Sequence, residues 1–385
     1  MPQRISQPRA FLDKDNLRQL RSASPPLFNT LFSKVFLRPC SQFLANLMPS
    51  RLSGNVVFLV FAMSSIFLSV AASLLYYTTS DPSPTQSFFF IIITFVSCLF
   101  SSFSFFTSTS HAVKIRRITP IIYVSQSILQ SPLICLISIS TSGALDAFPK
   151  YPRQALYHVL SVAFFQYVFT LRRFLTVDDE VTRVIFGNAA DLSFLLGVVV
   201  VFSRLSFVKS NMFILHYAFP SILTLMTIYH VIRAINDGKQ SPQASILSSI
   251  YRCLYFLSPF ITMSTIILCW TFLDSESTSH PLLFSCIATF FASLMTSKLE
   301  IHRQSGLPFY AGQPILALLL WGLASTLTDK LFNFHLIFNQ HILLIVVFFI
   351  SLGVLLQYSV SILAEFASSL QQSVLELNYQ SRHMG

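Results

Sequence analysis

The chain has 385 residues, of which 53% are hydrophobic and only 10% are charged, and its mean hydropathy is +0.65. A soluble domain carries about a quarter charged residues, so this composition excludes a soluble globular protein and indicates an all-α polytopic membrane protein. The net charge of +10 is not concentrated in a soluble basic module. We therefore expect contact with membrane lipids and no binding to nucleic acid.

The leader, residues 1–50, is basic and precedes the first long apolar run, which starts near Val56. That run lies too far into the chain to be the core of a cleavable signal peptide. Near its end, Leu27–Leu37 places a row of apolar side chains on one helical face: Phe28, Leu31, Phe32, Val35 and Phe36. This stripe predicts either a helix lying in the membrane interface or a collar packed against the membrane domain, and both are compatible.

Ten apolar stretches follow, each read as a membrane-spanning helix of roughly 20 residues. They are Val56–Tyr77, Ser87–Phe106, Pro120–Ile139, Ala155–Leu171, Leu192–Val208, Met212–Ile232, Leu247–Thr271, Pro281–Met295, Pro314–Thr328 and His341–Leu363. With the leader inside, 20 of the 25 Lys and Arg residues fall in cytoplasmic segments. This bias predicts a cytoplasmic N-terminus and C-terminus, with one membrane domain over residues 51–370 and a cytoplasmic tail over residues 371–385.

The second and third spans lie in a segment, Pro82 to Leu145, that contains no aspartate or glutamate. They are joined by the basic turn from Ser108 to Arg117. Because Mg²⁺ and Ca²⁺ are held mainly by carboxylate oxygens, this hairpin is not expected to bind them. The six cysteines show no CxxC or metal-ligand spacing and are read as small apolar residues.

Two regions carry a resemblance to a known family. One is the entry into the membrane domain, Phe32-Ser-Lys-Val-Phe-Leu-Arg-Pro39 followed by Met48-Pro-Ser-Arg-Leu. The other runs from Ser241 to Pro259, followed by Trp270, Ser279-His-Pro281 and Leu294-Met-Thr-Ser-Lys298. In this order the chain resembles the eukaryotic choline/ethanolaminephosphotransferases of the CDP-alcohol phosphotransferase family. The resemblance implies ten spans and a homodimer, or a heterodimer with an active paralogue.

The family's catalytic signature is D-x-x-D-G-x-x-A-R, eight residues, then G-x-x-x-D-x-x-x-D, and its four aspartates bind two divalent metals. With a three-residue shortening, the aspartate positions fall on Ser108, His111, Gln126 and Gln130. The glycines become Ala112 and Ile122, the alanine becomes Ile115, and only Arg116 matches. Without the shortening, the last two positions fall on Leu129 and Leu133. Either alignment lacks a carboxylate, so we expect no Mg²⁺ or Mn²⁺ cofactor and no catalytic residue at this signature.

The remaining side chains of the hairpin allow other roles. Lys114, Arg116 and Arg117 have the chemistry to grip a phosphate without metal, or to anchor the hairpin to anionic lipid. Gln126 and Gln130 share a helical face, which predicts either a hydrated cleft or hydrogen bonds between spans. His111, beside a basic turn, is expected at the surface or at head-group level. Ile122 is expected to fill space that glycine leaves open.

Elsewhere the chain offers few groups for chemistry. Asp178, Asp179 and Glu180 form the densest acidic run and are expected to be a solvated loop. Asp191, at the start of the fifth span, is expected to be an N-cap and not a proton relay. Where members of the family share a His-Trp pair, this chain has Arg172-Arg173-Phe174. We expect the spans to contain few buried ionisable groups.

Three functions follow from these observations. The first is a catalytically inactive paralogue of the phospholipid-synthesising CDP-alcohol phosphotransferases, in the endoplasmic reticulum or Golgi membrane, with a lipid- or nucleotide-binding or regulatory role. The second is an active phosphotransferase, moving phosphocholine or phosphoethanolamine to diacylglycerol, that draws metal ligands from Asp178, Asp179 and Glu180. The third is a lipid or solute transporter, disfavoured by the lack of repeat halves, broken helices and buried charges.

Overall fold

The computed structural model describes Asp15 and residues 30–79, 83–115, 120–145, 152–175, 189–203, 212–237, 246–273, 280–332 and 340–370. Over these residues the secondary structure is helical, with no strand. A π-helical turn, Ser33–Leu37, runs directly into the first α-helix. The α-helices are α1 (Arg38–Leu47), α2 (Gly54–Thr78), α3 (Pro84–Lys114), α4 (Pro120–Ala144), α5 (Pro152–Leu175), α6 (Ala189–Phe202), α7 (Met212–Asp237), α8 (Ile246–Leu273), α9 (Pro281–Ser305), α10 (Leu316–Phe332) and α11 (Gln340–Leu370).

The protein is an all-α polytopic membrane protein. Within the described ranges, eight of these helices are long and apolar enough to cross a bilayer. Each of the ten predicted spans overlaps one of the helices α2 to α11, in chain order. The number of true crossings and the cytoplasmic placement of both termini stay predictions.

Local sequence signals explain where several helices begin and end. α3, α4, α5 and α9 each begin at a proline, whose fixed φ and missing N–H suit the first helical position. Ser83 and Gln86 form a reciprocal capping box before α3, which satisfies backbone donors at that end. α9 ends at Gly306, whose φ of 69° is left-handed and favours glycine.

The centre of the bundle is formed by α4, α5 and α9. In an apolar stretch of 18 residues from each helix, 78%, 83% and 78% of the residues are buried in α4, α5 and α9. In the other five long helices the buried fraction is 33–50%. α9 is also longer than its predicted span, which ended at Met295, because it continues to Ser305. α5 likewise continues past Leu171 to Leu175. Charged residues that the sequence placed in loops therefore lie inside central helices.

The end of the leader is an amphipathic helix with two distinct faces. Four side chains at a spacing of four residues are buried, three of them small: Ser33, Leu37, Ser41 and Ala45. The large apolar side chains point away from the bundle, namely Leu31, Val35, Phe36, Phe43 and Leu47. Leu37 and Phe32 instead face the bundle, and Phe32 packs on Phe194 of α6 with ring centroids 5.1 Å apart. The segment therefore packs on the bundle and also exposes an apolar stripe, whose place in the membrane interface stays a prediction. Phe28 lies outside the described residues.

Asp191 fastens the leader to α6. It lies in the first turn of α6, which begins at Ala189, so the predicted N-cap role is wrong. Its carboxylate is completely buried and accepts hydrogen bonds from Thr30 Oγ1 (2.7 Å) and Ser33 Oγ (2.6 Å). Bonds to a charged acceptor are stronger than neutral ones, and these two hold residues far apart in sequence.

We expect Asp191→Ala to loosen the leader. Removing the carboxylate takes an acceptor from two buried hydroxyls, at about 1–3 kcal/mol for each group left unsatisfied. Limited trypsin digestion should then cleave after Lys34 at least about tenfold faster than in the unchanged protein; Arg38 is no trypsin site because Pro39 follows it. Asp191→Asn, which keeps one acceptor oxygen, should fall between the two. Equal cleavage rates for all three proteins would show that the leader is held by its apolar contacts alone.

Candidate functional site

The two halves of the degenerate signature meet where α3 ends and α4 begins. Gln126 Nε2 donates to Ser108 Oγ at 3.0 Å. The Ser108 hydroxyl itself donates to Phe105 O at 2.7 Å, so its oxygen accepts and the amide orientation of Gln126 is determined. Both residues are buried. Of the two roles predicted for this helical face, a hydrated cleft or hydrogen bonds between spans, Gln126 makes the hydrogen bond.

His111 is buried, so the expectation of a surface position is wrong. The side chain has 0% exposure, and its Nε2 lies 3.0 Å from Leu52 O. A carbonyl only accepts, so Nε2 carries a proton. The Nδ1 atom has no hydrogen-bond partner among the described residues. The burial comes from the turn before α2, which is distant in sequence and folds over this side of α3.

The signature's glycine positions are closely packed. Ala112 and Ile122 are each 1% exposed and lie around Gly54 at the start of α2. A Cβ at Gly54 would lie 2.8 Å from Ala112 Cβ, 2.9 Å from Ile122 Cδ1 and 2.9 Å from Ser108 O. Ile122 fills this space as expected, and glycine at position 54 is what lets α2 approach so closely.

The basic residues of the hairpin are only partly described. Lys114 is exposed and its Nζ donates to Ala45 O at 3.3 Å and Asn46 O at 3.1 Å. These carbonyls end α1, where a cation is favoured by the helix dipole. Gln130 is half-buried. Arg116 and Arg117 lie outside the described residues, as do Asp178, Asp179 and Glu180, so the structure says nothing of these sites.

An ion cluster around the buried Glu300 carboxylate joins α5 and α9, and the sequence did not predict it. Glu300 is 6% exposed, and its Oε1 lies 3.5 Å from Arg173 Nη1 and 2.8 Å from Arg303 Nη2. The predicted spans ended before Arg173 and Arg303 and so left both in loops, which is wrong because both lie within helices; their cytoplasmic side stays a prediction. The available signal was the Glu300-Arg303 spacing of three residues, which is a helical spacing, followed by Gly306 as a helix stop.

A glutamine extends this ion cluster to α4. Gln304 Nε2 donates to Glu300 Oε1 at 3.1 Å and to Ser127 Oγ at 2.6 Å. Its Oε1 is buried without a partner among the described residues. All three central helices thus share one polar network, consisting of Ser127, Arg173, Glu300, Arg303 and Gln304.

A second buried arginine lies one residue before Arg173. Arg172 is 7% exposed, and its Nη1 lies 3.4 Å from His230 Nδ1 of α7. Together with Glu300 and Asp191, it shows that the sequence underestimated the number of ionisable groups inside the bundle. Because ionisable groups inside membrane helices commonly mark functional sites, these three residues are candidates for a functional role.

Neither the signature residues nor the ion cluster provides the set of side chains that usually binds a divalent metal ion. In the part of the chain that the structure describes, there is no group of three or more His, Cys, Asp or Glu side chains suited to a metal ion. The signature residues offer neutral oxygen and nitrogen atoms, while the ion cluster has two cations for one anion. Comparison of the chain with protein-family models and with characterised proteins found no match.

Proposed function

We propose that this integral membrane protein is a catalytically inactive relative of the CDP-alcohol phosphotransferases, located in the endoplasmic reticulum or Golgi membrane. Its role is to bind a lipid head group or a nucleotide, or to regulate an active relative by pairing with it. The observation that carries the proposal is the Ser108–Gln126 hydrogen bond. It joins two neutral side chains at positions where the resemblance places metal-binding aspartates.

The physical reason is charge. Phosphoryl transfer depends on positioning and on neutralising the charge of the phosphates, and paired metals supply much of both. Serine and glutamine oxygens compensate little of the cost of dehydrating Mg²⁺. Gln126 Nε2 donates to Ser108 Oγ, while Gln126 Oε1 is buried without a partner among the described residues, and Ile122 fills the neighbouring space. These contacts favour a retained scaffold whose former reaction centre is closed.

A reconstitution assay tests the proposal. The full chain in proteoliposomes receives CDP-choline or CDP-ethanolamine, diacylglycerol, and Mg²⁺ or Mn²⁺. We expect no phospholipid product above that of empty liposomes, whether or not a chelator is present. In nanodiscs, CDP-choline, inorganic phosphate and anionic lipid are tested separately for binding. The variant Lys114→Gln/Arg116→Gln/Arg117→Gln should weaken whichever of them binds, while Lys34→Gln, an exposed leader cation, should not.

Product formation that a chelator abolishes would contradict this proposal and support the active phosphotransferase. The variant Asp178→Asn/Asp179→Asn/Glu180→Gln then identifies the ligands. Loss of product in that variant assigns the metal to this acidic run. Product that persists in it assigns the metal to another part of the chain.

A transporter is the second candidate, and the buried ion cluster favours it. Glu300, Arg173 and Arg303 lie inside long apolar helices, where ionisable groups commonly mark a solute or ion path. Flux of a labelled phospholipid or of protons in proteoliposomes tests this function. Flux that Glu300→Gln abolishes without unfolding the protein would favour the transporter over the inactive phosphotransferase relative.

A further inference from the structure

Three hydroxyls on one face of α9 are completely buried and have no hydrogen-bond partner among the described residues. They belong to Ser285, Thr289 and Ser293, each with 0% exposure. A spacing of four residues places them in a row along the helix. Thr296 and Ser305 of the same helix, in contrast, donate to the carbonyls of Ala292 and Ile301. The three hydroxyls in the row are therefore available to another group.

α4 brings a fourth such hydroxyl to this face. Ser131 is 2% exposed and its Oγ has no partner within the described ranges. The Cys135 thiol is within weak hydrogen-bonding reach of Ser131 and Ser293, but a thiol is a poor partner for a hydroxyl, and neither hydroxyl has an oxygen or nitrogen partner among the described residues. The register of the two helices is set nearby, where Ser297 Oγ donates to Ile128 O at 3.0 Å.

α5 contributes an amide. Gln166 is 5% exposed, and its Oε1 has no partner among the residues described. Val159 belongs to an apolar cluster against which Cys286 of α9 packs, and Arg173 pairs with Glu300 of α9. Along α5, Gln166 lies about two helical turns after Val159 and about two turns before Arg173. It is therefore on the face of α5 turned to α9, at the level of Ser293.

The polar face of α9 continues to the ion cluster. Beyond Ser293 it passes Ser297 and Glu300 and reaches Gln304, whose Oε1 is also without a partner in the described part of the chain. From Ser285 to Gln304 the helix rises about 28 Å, close to the hydrocarbon thickness of about 30 Å. The unpartnered groups thus come from three helices and follow one line through the centre of the bundle.

We propose that α4, α5 and α9 enclose a file of ordered water molecules, held by Ser131, Gln166, Ser285, Thr289 and Ser293, that leads to the Glu300 network. Water suits these groups because it both donates and accepts, and buried polar side chains of proteins are normally satisfied by protein or by ordered water. The file gives protons and small polar solutes access to the Glu300 carboxylate. It does not depend on the function proposed above.

Radiolytic hydroxyl labelling of the full chain in nanodiscs tests the proposal, because buried side chains beside ordered water are oxidised while those in dry packing are protected. Two native thiols form a matched pair. Cys135 and Cys98 both have 0% exposure and both belong to apolar clusters. They differ in their polar neighbours: Thr141 beside Cys98 already donates to Ile137 O, whereas the Ser131 and Ser293 hydroxyls beside Cys135 have no oxygen or nitrogen partner among the described residues. We expect Cys135 to be oxidised at least about fivefold faster than Cys98. Equal protection of the two thiols would overturn the proposal.

Variants test which groups hold the water. Thr289→Val/Ser293→Ala removes two hydroxyls with little change of shape and should lower Cys135 oxidation to the rate of Cys98. Thr296→Val removes a hydroxyl that is bonded to Ala292 O and should leave the Cys135 rate unchanged. An unchanged Cys135 rate in the double variant would also overturn the proposal. If the double variant does not fold, the ratio of the two thiols in the unchanged protein decides the matter.

Discussion

Glu300→Gln is expected to destabilise the protein by about 3–5 kcal/mol, the cost of removing one partner from a buried ion pair. The carboxylate is 6% exposed and is the acidic member of a cluster with two guanidinium groups, Arg173 and Arg303. Without it, the two guanidinium groups, whose side chains are 15% and 23% exposed, lose this shared partner. Thermal unfolding in detergent, followed by size-exclusion fluorescence, measures the loss.

A double-variant cycle separates the ion pair from general damage. Arg173→Gln/Glu300→Gln removes one charge of each sign and should lose less stability than the sum of the single variants. Arg153→Gln, at the exposed beginning of the same helix α5, loses only the stacking of its guanidinium over the Phe272 ring at 5.1 Å and should change stability by no more than about 1 kcal/mol. Additive losses in the double variant would show that Arg173 and Glu300 do not interact energetically.

Gly322→Ala is expected to cost about 1–3 kcal/mol or more through overpacking. A Cβ at this position of α10 would overlap Cη2 of Trp270 and lie 2.6 Å from its Cζ3. The indole is 1% exposed and packs against Phe284 with centroids 5.2 Å apart, so it has little room to move. The same thermal unfolding measurement applies.

Gly353 offers a matched control in another apolar helix. A Cβ there meets nothing within 4 Å, so Gly353→Ala should be neutral or stabilise α11 by up to about 1 kcal/mol, since alanine is the better helix former. Combining Gly322→Ala with Trp270→Phe should recover part of the loss, because the smaller ring retreats from the new methyl group. Equal stability of the Gly322→Ala and Gly353→Ala variants would contradict the predicted clash.

The positions of the helices followed from local sequence. Long apolar runs must satisfy their backbone hydrogen bonds internally in a membrane, and each predicted run overlaps a helix. The Leu31, Val35 and Phe36 stripe also followed from helical periodicity, and these side chains are indeed exposed on one face. Local hydropathy failed at the ends of α5 and α9, because charged residues lower the hydropathy whether or not they pair across helices.

The candidate site was predictable only in part. The hairpin geometry and the absence of carboxylates could be read from the sequence, and Gln126 does reach Ser108. The burial of His111 could not be predicted from the sequence around it, because His111 is covered by the segment that contains Leu52. Asp191 was misjudged for the same reason, because its partners Thr30 and Ser33 belong to the leader.

The sequence by itself determined that this is a helical membrane protein and that the signature region lacks acidic residues, because both depend only on which residues are present and on their local spacing. Tertiary structure alone decided the Glu300 ion cluster, the Gly322–Trp270 contact and the row of buried hydroxyls facing α4 and α5. Each of these depends on which helices become neighbours. Neighbours are chosen by the fit of side chains from distant segments, and that fit leaves no periodic signal along the chain.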